Sequence, residues 1–417
     1  MKDGSALTAE RIAVKGGVFL GNGFKAVGMV SLTGTQIGGN LTCGGGQFEV
    51  KEGDALSANR MAINGGVFLN KHFKAQGGVN LLGTQIGGSL DCTGGHFDVN
   101  KGSALCVESA VVRGVWFLQN VLQPVLINAS HADIAVLVDD QDAWAPGSVL
   151  DGLRYASFGG DASTNGAGRL KWLAKQSEEH LGNTKGGTDF RPQPWRQLQR
   201  VLREMGHLED AKEVGIAFQD RLRAIGRMGQ WPNDICDVPR CFKGMVTRST
   251  HYAFGKLAGY GYRTVDLVLW MFSVWLVCGA AYWWLALPPQ SAIAPSDPLV
   301  FQDRRYQHCQ PDQLDAAGKP GNWYLCSDLR SEYSTFSPFA FSLDLLLPVV
   351  DLGQEKAWGA FIPTPKESPW EEWFSRAGWH WGHAVRFLTW IQTLFGWVCS
   401  LLLVAIVSGY SRRNDEG

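Results

Sequence analysis

Proline is missing from the first 123 residues of this 417-residue chain, and charge is balanced, with 38 Lys and Arg against 39 Asp and Glu. Each proline in a strand ladder removes a hydrogen-bond donor, so its absence suits a long stacked sheet. A net charge of −1 excludes the broad basic surface that nucleic-acid binding requires, and no nucleic-acid partner is expected. Met1 to Leu20 contains no continuous apolar segment, so no signal peptide is expected there and the N-terminal part is expected to stay in the cytosol. The Gly21–Gly28 stretch, GNGFKAVG, has neither the G-x-G-x-x-G spacing nor a helical pattern after it, and no P-loop occurs elsewhere. No cofactor is therefore expected. Nine scattered cysteines do not make a disulfide framework, and most are expected to be buried thiols.

Against those absences stands a repeat of 49 residues: 29 of the 47 positions from Gly4 to Val50 recur one period later. GGVFL at Gly16–Leu20 returns at Gly65–Leu69 and, as GVWFL, at Gly114–Leu118, while GTQIGG at Gly34 returns at Gly83. Within a period, apolar residues alternate in short bursts, as in Val18/Leu20, Leu41/Cys43 and Phe48/Val50, separated by Gly, Asn and Thr. Period two with tight turns means short strands, and the gaps are too short for crossover helices. A β-solenoid over residues 1–160 follows, with three rungs of about 16 residues to each repeat. Cys43 and Cys92, at equivalent positions, are expected to stack in its core.

Residues 161–263 change character. Trp195, Leu198, Leu202 and Met205 share one helical face, Ala211, Val214, Phe218, Leu222 and Ile225 share another, and Gly206 between them suits the end of the first helix. The result is a helical hairpin with a basic outer face, Arg196, Arg200, Arg203, Lys212, Arg221 and Arg223, which is a solvated surface or a contact with anionic lipid heads. Cys236, Cys241 and His251 do not complete a four-ligand zinc site, and no metal is expected.

Two uncharged apolar runs follow, Leu267–Leu287 and Phe387–Tyr410, of 21 and 24 residues. At about 1.5 Å per residue each is long enough for a bilayer core of about 30 Å. Transmembrane helices are expected over 264–287 and 387–411. Five basic residues and no acidic ones between Arg240 and Arg263, with Arg412 and Arg413 beyond the second run, place both flanks in the cytoplasm. Residues 288–386 then face the periplasm of a bacterial inner membrane, and 412–417 form a cytosolic tail.

In that outer loop, Cys309 and Cys326 are positioned for a disulfide in an oxidising compartment, or remain two thiols. Phe336–Val350 is apolar but too short to span, which suits an interfacial or re-entrant helix. It carries Asp344, with Asp351 seven residues on; these carboxylates either line a polar path or lie on the wet face of a surface helix. Trp358, Trp370, Trp373, Trp379 and Trp381 are expected at the membrane interface.

The series LDGLRY, RLKWLAKQ, FRPQPWRQLQRVLREMGHLEDAKEVGIAFQDRLR, GYGYR and FSPFAFSLDLLLPVVDLGQEKAW resembles a family of bacterial two-span membrane proteins with an N-terminal Gly-rich repeat or β-helix region. Members are often labelled membrane-associated oxidoreductases or uncharacterised proteins, and tend to be longer at the N-terminus; this chain starts almost at a repeat boundary, which leaves further rungs upstream open. The residues themselves assemble no catalytic constellation. The expectation is a membrane-anchored scaffold or sensor whose cytosolic solenoid binds a protein partner or self-associates. An oligomeric two-span ion channel is the alternative and a membrane-associated oxidoreductase the third reading.

Overall fold

The computed structural model describes residues 4–183, 189–228, 238–314, 318, 320–362 and 380–414, and it forms two compact units, Met1–Ala253 and Phe254–Gly417. In the first, the alternating bursts become short parallel strands. Val14, Ile37, Ile63, Ile86, Val112, Ile134 and Tyr155 fall on successive turns of one column, so the chain winds seven turns of β-solenoid. Further columns run through Leu7, Val30, Leu56, Val79, Leu105 and Ile127, through Val18, Leu41, Val67, Leu90 and Trp116, and past Lys25, Gln47, Lys74 and His96. Partners in the first column are alternately 23 and 26 residues apart over the repeats. Each 49-residue repeat therefore covers two turns with four short sides, which corrects the expected three rungs.

Side-chain packing explains the two-turn period. The register of Lys25, Gln47, Lys74 and His96 puts Phe24, Gly46, Phe73 and Gly95 in one inward seat and Ala26, Phe48, Ala75 and Phe97 in the next. Successive rings thus change seats, each beside a glycine or alanine, with centroids 5.4, 5.3 and 5.6 Å apart. Strands lie about 4.8 Å apart, and rings in alternating seats gain a tilted, wider spacing over the small residue beside each, so that they interlock. A one-turn repeat cannot encode that alternation. For the same reason Cys43 and Cys92 are buried but not adjacent: Leu69 lies between them in the column. Burial in apolar surroundings pushes the Cys43 thiol up to about 12, so it is unreactive.

The extra residues of the longer turns project at Val50–Gly53, a bulge within the strand Gln47–Ser57, and in the loop Val99–Gly102, while the shorter turns pass the same corner through Gly28 and Gly77, at φ of +116° and +122°. A Cβ at Gly77 would lie 2.3 Å from Val50, so this tight corner accepts only glycine.

Helices close the far end of the solenoid. From α1 (Gly166–Leu173), Trp172 extends a stack of Trp116, Trp144 and Trp172 with centroids 5.6 Å apart. Arg169 of α1 is fully buried and forms a bidentate pair with Asp139 at 3.0 and 2.7 Å. The edge of the last strand, Arg154–Phe158, is covered by α2 (Gln193–Glu204). There Gln193 accepts from the Gly152 N–H and donates to the Leu153 carbonyl, both at 2.9 Å, and Gln197 donates to the Tyr155 carbonyl at 2.7 Å. Side-chain amides thereby satisfy an edge that would otherwise template further pairing. Gly206, at φ +87°, ends α2, and α3 (Leu208–Ala224) buries Ala211, Val214 and Phe218 in the same core as Trp195, Leu198 and Leu202.

α4 (Val238–Ala258) precedes the apolar helices. In the second unit α5 (Thr264–Ala286) is followed by α6 (Pro298–Gln302), α7 (Ser327–Glu332), α8 (Pro338–Leu346), α9 (Gln354–Ala357) and α10 (Trp381–Asn414). Strand Ile293–Pro295 pairs antiparallel with Trp358–Ala360. Thr264–Ala286 and Trp381–Ser408 are long and apolar enough to cross a membrane. Val265, Val277, Leu394, Leu401 and Val404 on them are 64–69% exposed, an apolar surface of the kind that water does not favour.

Candidate functional site

The apolar segment between the two long helices is seated against both of them. α8 packs where they carry glycine: a Cβ at Gly279 of α5 would lie 2.4 Å from Phe339, and one at Gly396 of α10 would lie 2.2 Å from the Leu346 carbonyl. Polar bonds lock the seat. The Trp275 indole donates to the Phe339 carbonyl at 2.8 Å, and the Ser342 hydroxyl donates to the Trp275 carbonyl at 2.9 Å. The buried Gln392 of α10 donates to the Ser342 carbonyl and hydroxyl at 2.9 and 2.7 Å. Trp275 lies midway along α5, and Leu346 clusters with Leu267, Met271 and Cys399, so α8 runs alongside the apolar stretches themselves. The segment is a short helix packed between the two long apolar ones. Gln392 escaped sequence reasoning; its one available signal is a lone amide inside an apolar run.

Asp344 and Asp351 do not meet. Asp344 is 6% exposed, and its two oxygens accept the Leu352 N–H at 2.7 Å and the Glu355 N–H at 2.9 Å. Its carboxylate thus satisfies backbone donors where the chain turns back after α8, including the start of α9. Within the chain, that position is not an exposed helix face. Asp351 is exposed, pairs with Lys356 and accepts the Gly353 N–H at 3.0 Å. Its hydrogen bond from the Lys356 ammonium holds its carboxyl below the ordinary value.

Cys309 and Cys326 are joined in a disulfide with Cα atoms 5.7 Å apart. His308 Nε2 lies 3.6 and 3.9 Å from their sulfurs and 3.3 Å from an Asp328 oxygen. Bonded to each other, the sulfurs offer no thiolate to a metal, and the bond acts as a staple around the aromatic cluster of Tyr306, Trp323, Phe336 and Trp358. Cys309→Ser with Cys326→Ser is expected to remove about 3 kcal/mol, the loop-closure contribution for a crosslink of this span. Denaturant midpoints of oxidised wild type and the double variant, compared in one detergent, check this.

Trp358 is itself 3% exposed, with its indole donating to the Ser334 carbonyl at 2.9 Å, so it is a core residue and not an interfacial one. Trp381 is 39% exposed, while Trp370, Trp373, Trp379 and Cys236 lie outside the described residues. At the start of α10, the His380 ring bonds the Phe361 carbonyl at 3.1 Å, and burial, opposed by that bond and reinforced by His383, lowers its proton affinity below the ordinary imidazole value. The folded state therefore binds this proton less readily than the unfolded one. Its stability contribution is present above about pH 6.5 and is lost as pH falls through the lowered folded value. Melting curves of wild type and His380→Gln between pH 7.5 and 5 should converge toward a smaller acid loss in the variant.

On the solenoid, the two projections bound a slot of about 820 Å³ lined by Val50, Lys51, Glu52, Gly53, Asp98, Asn100 and Lys101, with Gln76 and Gly77 as its floor. The projections are two ladder steps apart, about 10 Å. No family model matches the chain, and neither a curated protein nor a solved structure is similar to it.

Proposed function

We propose that this protein is a membrane-anchored scaffold or sensor. α5 and α10 cross a bacterial inner membrane, both termini are cytoplasmic, and the cytosolic solenoid, followed by the α2–α3 hairpin, binds a protein partner or a second copy. The observation that carries this reading is the slot between the Val50–Gly53 and Val99–Gly102 projections, because it sits on a rigid stacked surface with opposite charges at fixed spacing. Lys51→Glu with Lys101→Glu makes every charge in the slot negative without touching the core. Light scattering and crosslinking of detergent-solubilised protein should show wild-type assembly that the variant loses. A strictly monomeric wild type with no specific crosslinked neighbour would contradict the scaffold.

The seat of α8 between two apolar helices favours a second reading, an oligomeric two-span ion channel regulated by the solenoid. Two spans cannot enclose a pore alone, so symmetric copies supply its walls. Asp344 then shapes the re-entrant segment through Leu352 and Glu355. Proteoliposome recordings that are silent for a well-formed oligomer remove this reading.

A further inference from the structure

We propose that a groove between the last solenoid turn and α2 is an anion site that takes the phosphoryl group of a phosphorylated ligand. The groove holds about 720 Å³, within the range of small-molecule sites, and Arg154, Arg196 and Arg200 line it with Asp133 as its one acidic wall residue. Arg154 comes from the solenoid and the other two from α2, so two rigid elements aim cations into one space. Pro192 and Gln193 also line it, which adds the start of a 12-residue helix and its favourable dipole.

The arginines are oriented rather than consumed by their neighbours. Arg200 donates to Gln197 Oε1 at 2.9 Å, and Gln197 is buried and fixed to the Tyr155 carbonyl. Its pair with Glu204, at 3.7 Å and with both side chains 58% exposed, is a weak surface contact that a phosphoryl group displaces. The Arg196 guanidinium carbon lies 5.9 Å from the Phe218 ring centre, a loose stacking contact that holds the side chain at the groove without engaging it in an ion pair. Planar guanidinium groups bind phosphoryl oxygens in pairs, and three of them outweigh the single Asp133. The groove leaves room beside a phosphoryl group for an organic portion, which fits a soluble phosphorylated metabolite or a phospholipid headgroup.

The full chain, reconstituted in zwitterionic phosphatidylcholine nanodiscs, is titrated with inorganic pyrophosphate by thermal shift and calorimetry. Saturable binding is expected, weaker at high salt, with affinity reduced about tenfold in Arg154→Gln and in Arg200→Gln. Arg203→Gln, on the same helix but outside the groove, is the control and retains wild-type affinity. In a second arm, phosphatidylglycerol is added to the discs without pyrophosphate. Stabilisation by phosphatidylglycerol that the two groove variants lose, and that pyrophosphate competes away, assigns the site to a headgroup; pyrophosphate binding with no phosphatidylglycerol response assigns it to a soluble ligand. No response in either arm, or equal loss in Arg203→Gln, overturns the site.

Discussion

Arg169→Met is expected to destabilise the first unit by about 3–5 kcal/mol, because it leaves the buried Asp139 carboxylate without its countercharge. Both side chains are 0% exposed, and the pair is bidentate. Asp139 also accepts the Trp144 indole N–H at 2.7 Å, while Arg169 Nε donates to the Ser163 carbonyl at 2.6 Å and its guanidinium lies 3.7 Å from the Phe158 ring centre. One arginine therefore ties the last two strands to α1. Asp139→Asn keeps the shape and an acceptor for Trp144, but strands the buried guanidinium, and is expected to cost a similar amount. Replacing both, as Asp139→Leu with Arg169→Met, should recover much of the loss, since a buried pair is offset by its own desolvation. Urea titrations in one detergent, read by tryptophan fluorescence, give the three values. A double variant whose loss equals the sum of the single losses would show that the pair does not act as a unit.

The second large effect is expected in the phenylalanine ladder. Phe48 is fully buried between the Phe24 and Phe73 rings, at 5.4 and 5.3 Å. Phe48→Ala removes both contacts and leaves a cavity worth about 3–5 kcal/mol. Moving the ring, by Gly46→Phe with Phe48→Ala, restores the volume but puts three consecutive rings in one seat. If alternating seats set the two-turn period, this double variant is no more stable than Phe48→Ala alone, despite its greater apolar content. A double variant restored to wild-type stability would mean that ring volume, and not seat order, is what the repeat encodes.

Much of the organisation was legible in the residues. The 49-residue repeat and its period-two bursts became a β-solenoid, the two apolar runs became long helices, and Gly206 ends α2 as its position implied. The number of turns per repeat was not legible. A period divides into turns only once it is known that Phe24 and Phe48 occupy neighbouring seats, and that is a cross-strand fact. The partners of Asp344 were hidden for a similar reason: they are the backbone N–H groups of Leu352 and Glu355, and backbone donors carry no residue signature. The glutamine seal at Gln193 and Gln197 was hidden by reading α2 as an amphipathic helix, in which both count simply as polar. The arginine groove escaped because Arg154 and Arg196 belong to different elements, and composition places them on separate surfaces.

The proposed topology, in which α5 and α10 anchor the solenoid on the cytosolic side and the disulfide-bearing segment lies outside, is tested most directly by paired reporters. Alkaline phosphatase, active only in the periplasm, and a fluorescent protein, active in the cytosol, are each fused after residue 320 and after residue 417. Phosphatase activity at 320 with fluorescence at 417 is the predicted pattern. The same reporter active at both positions would contradict it.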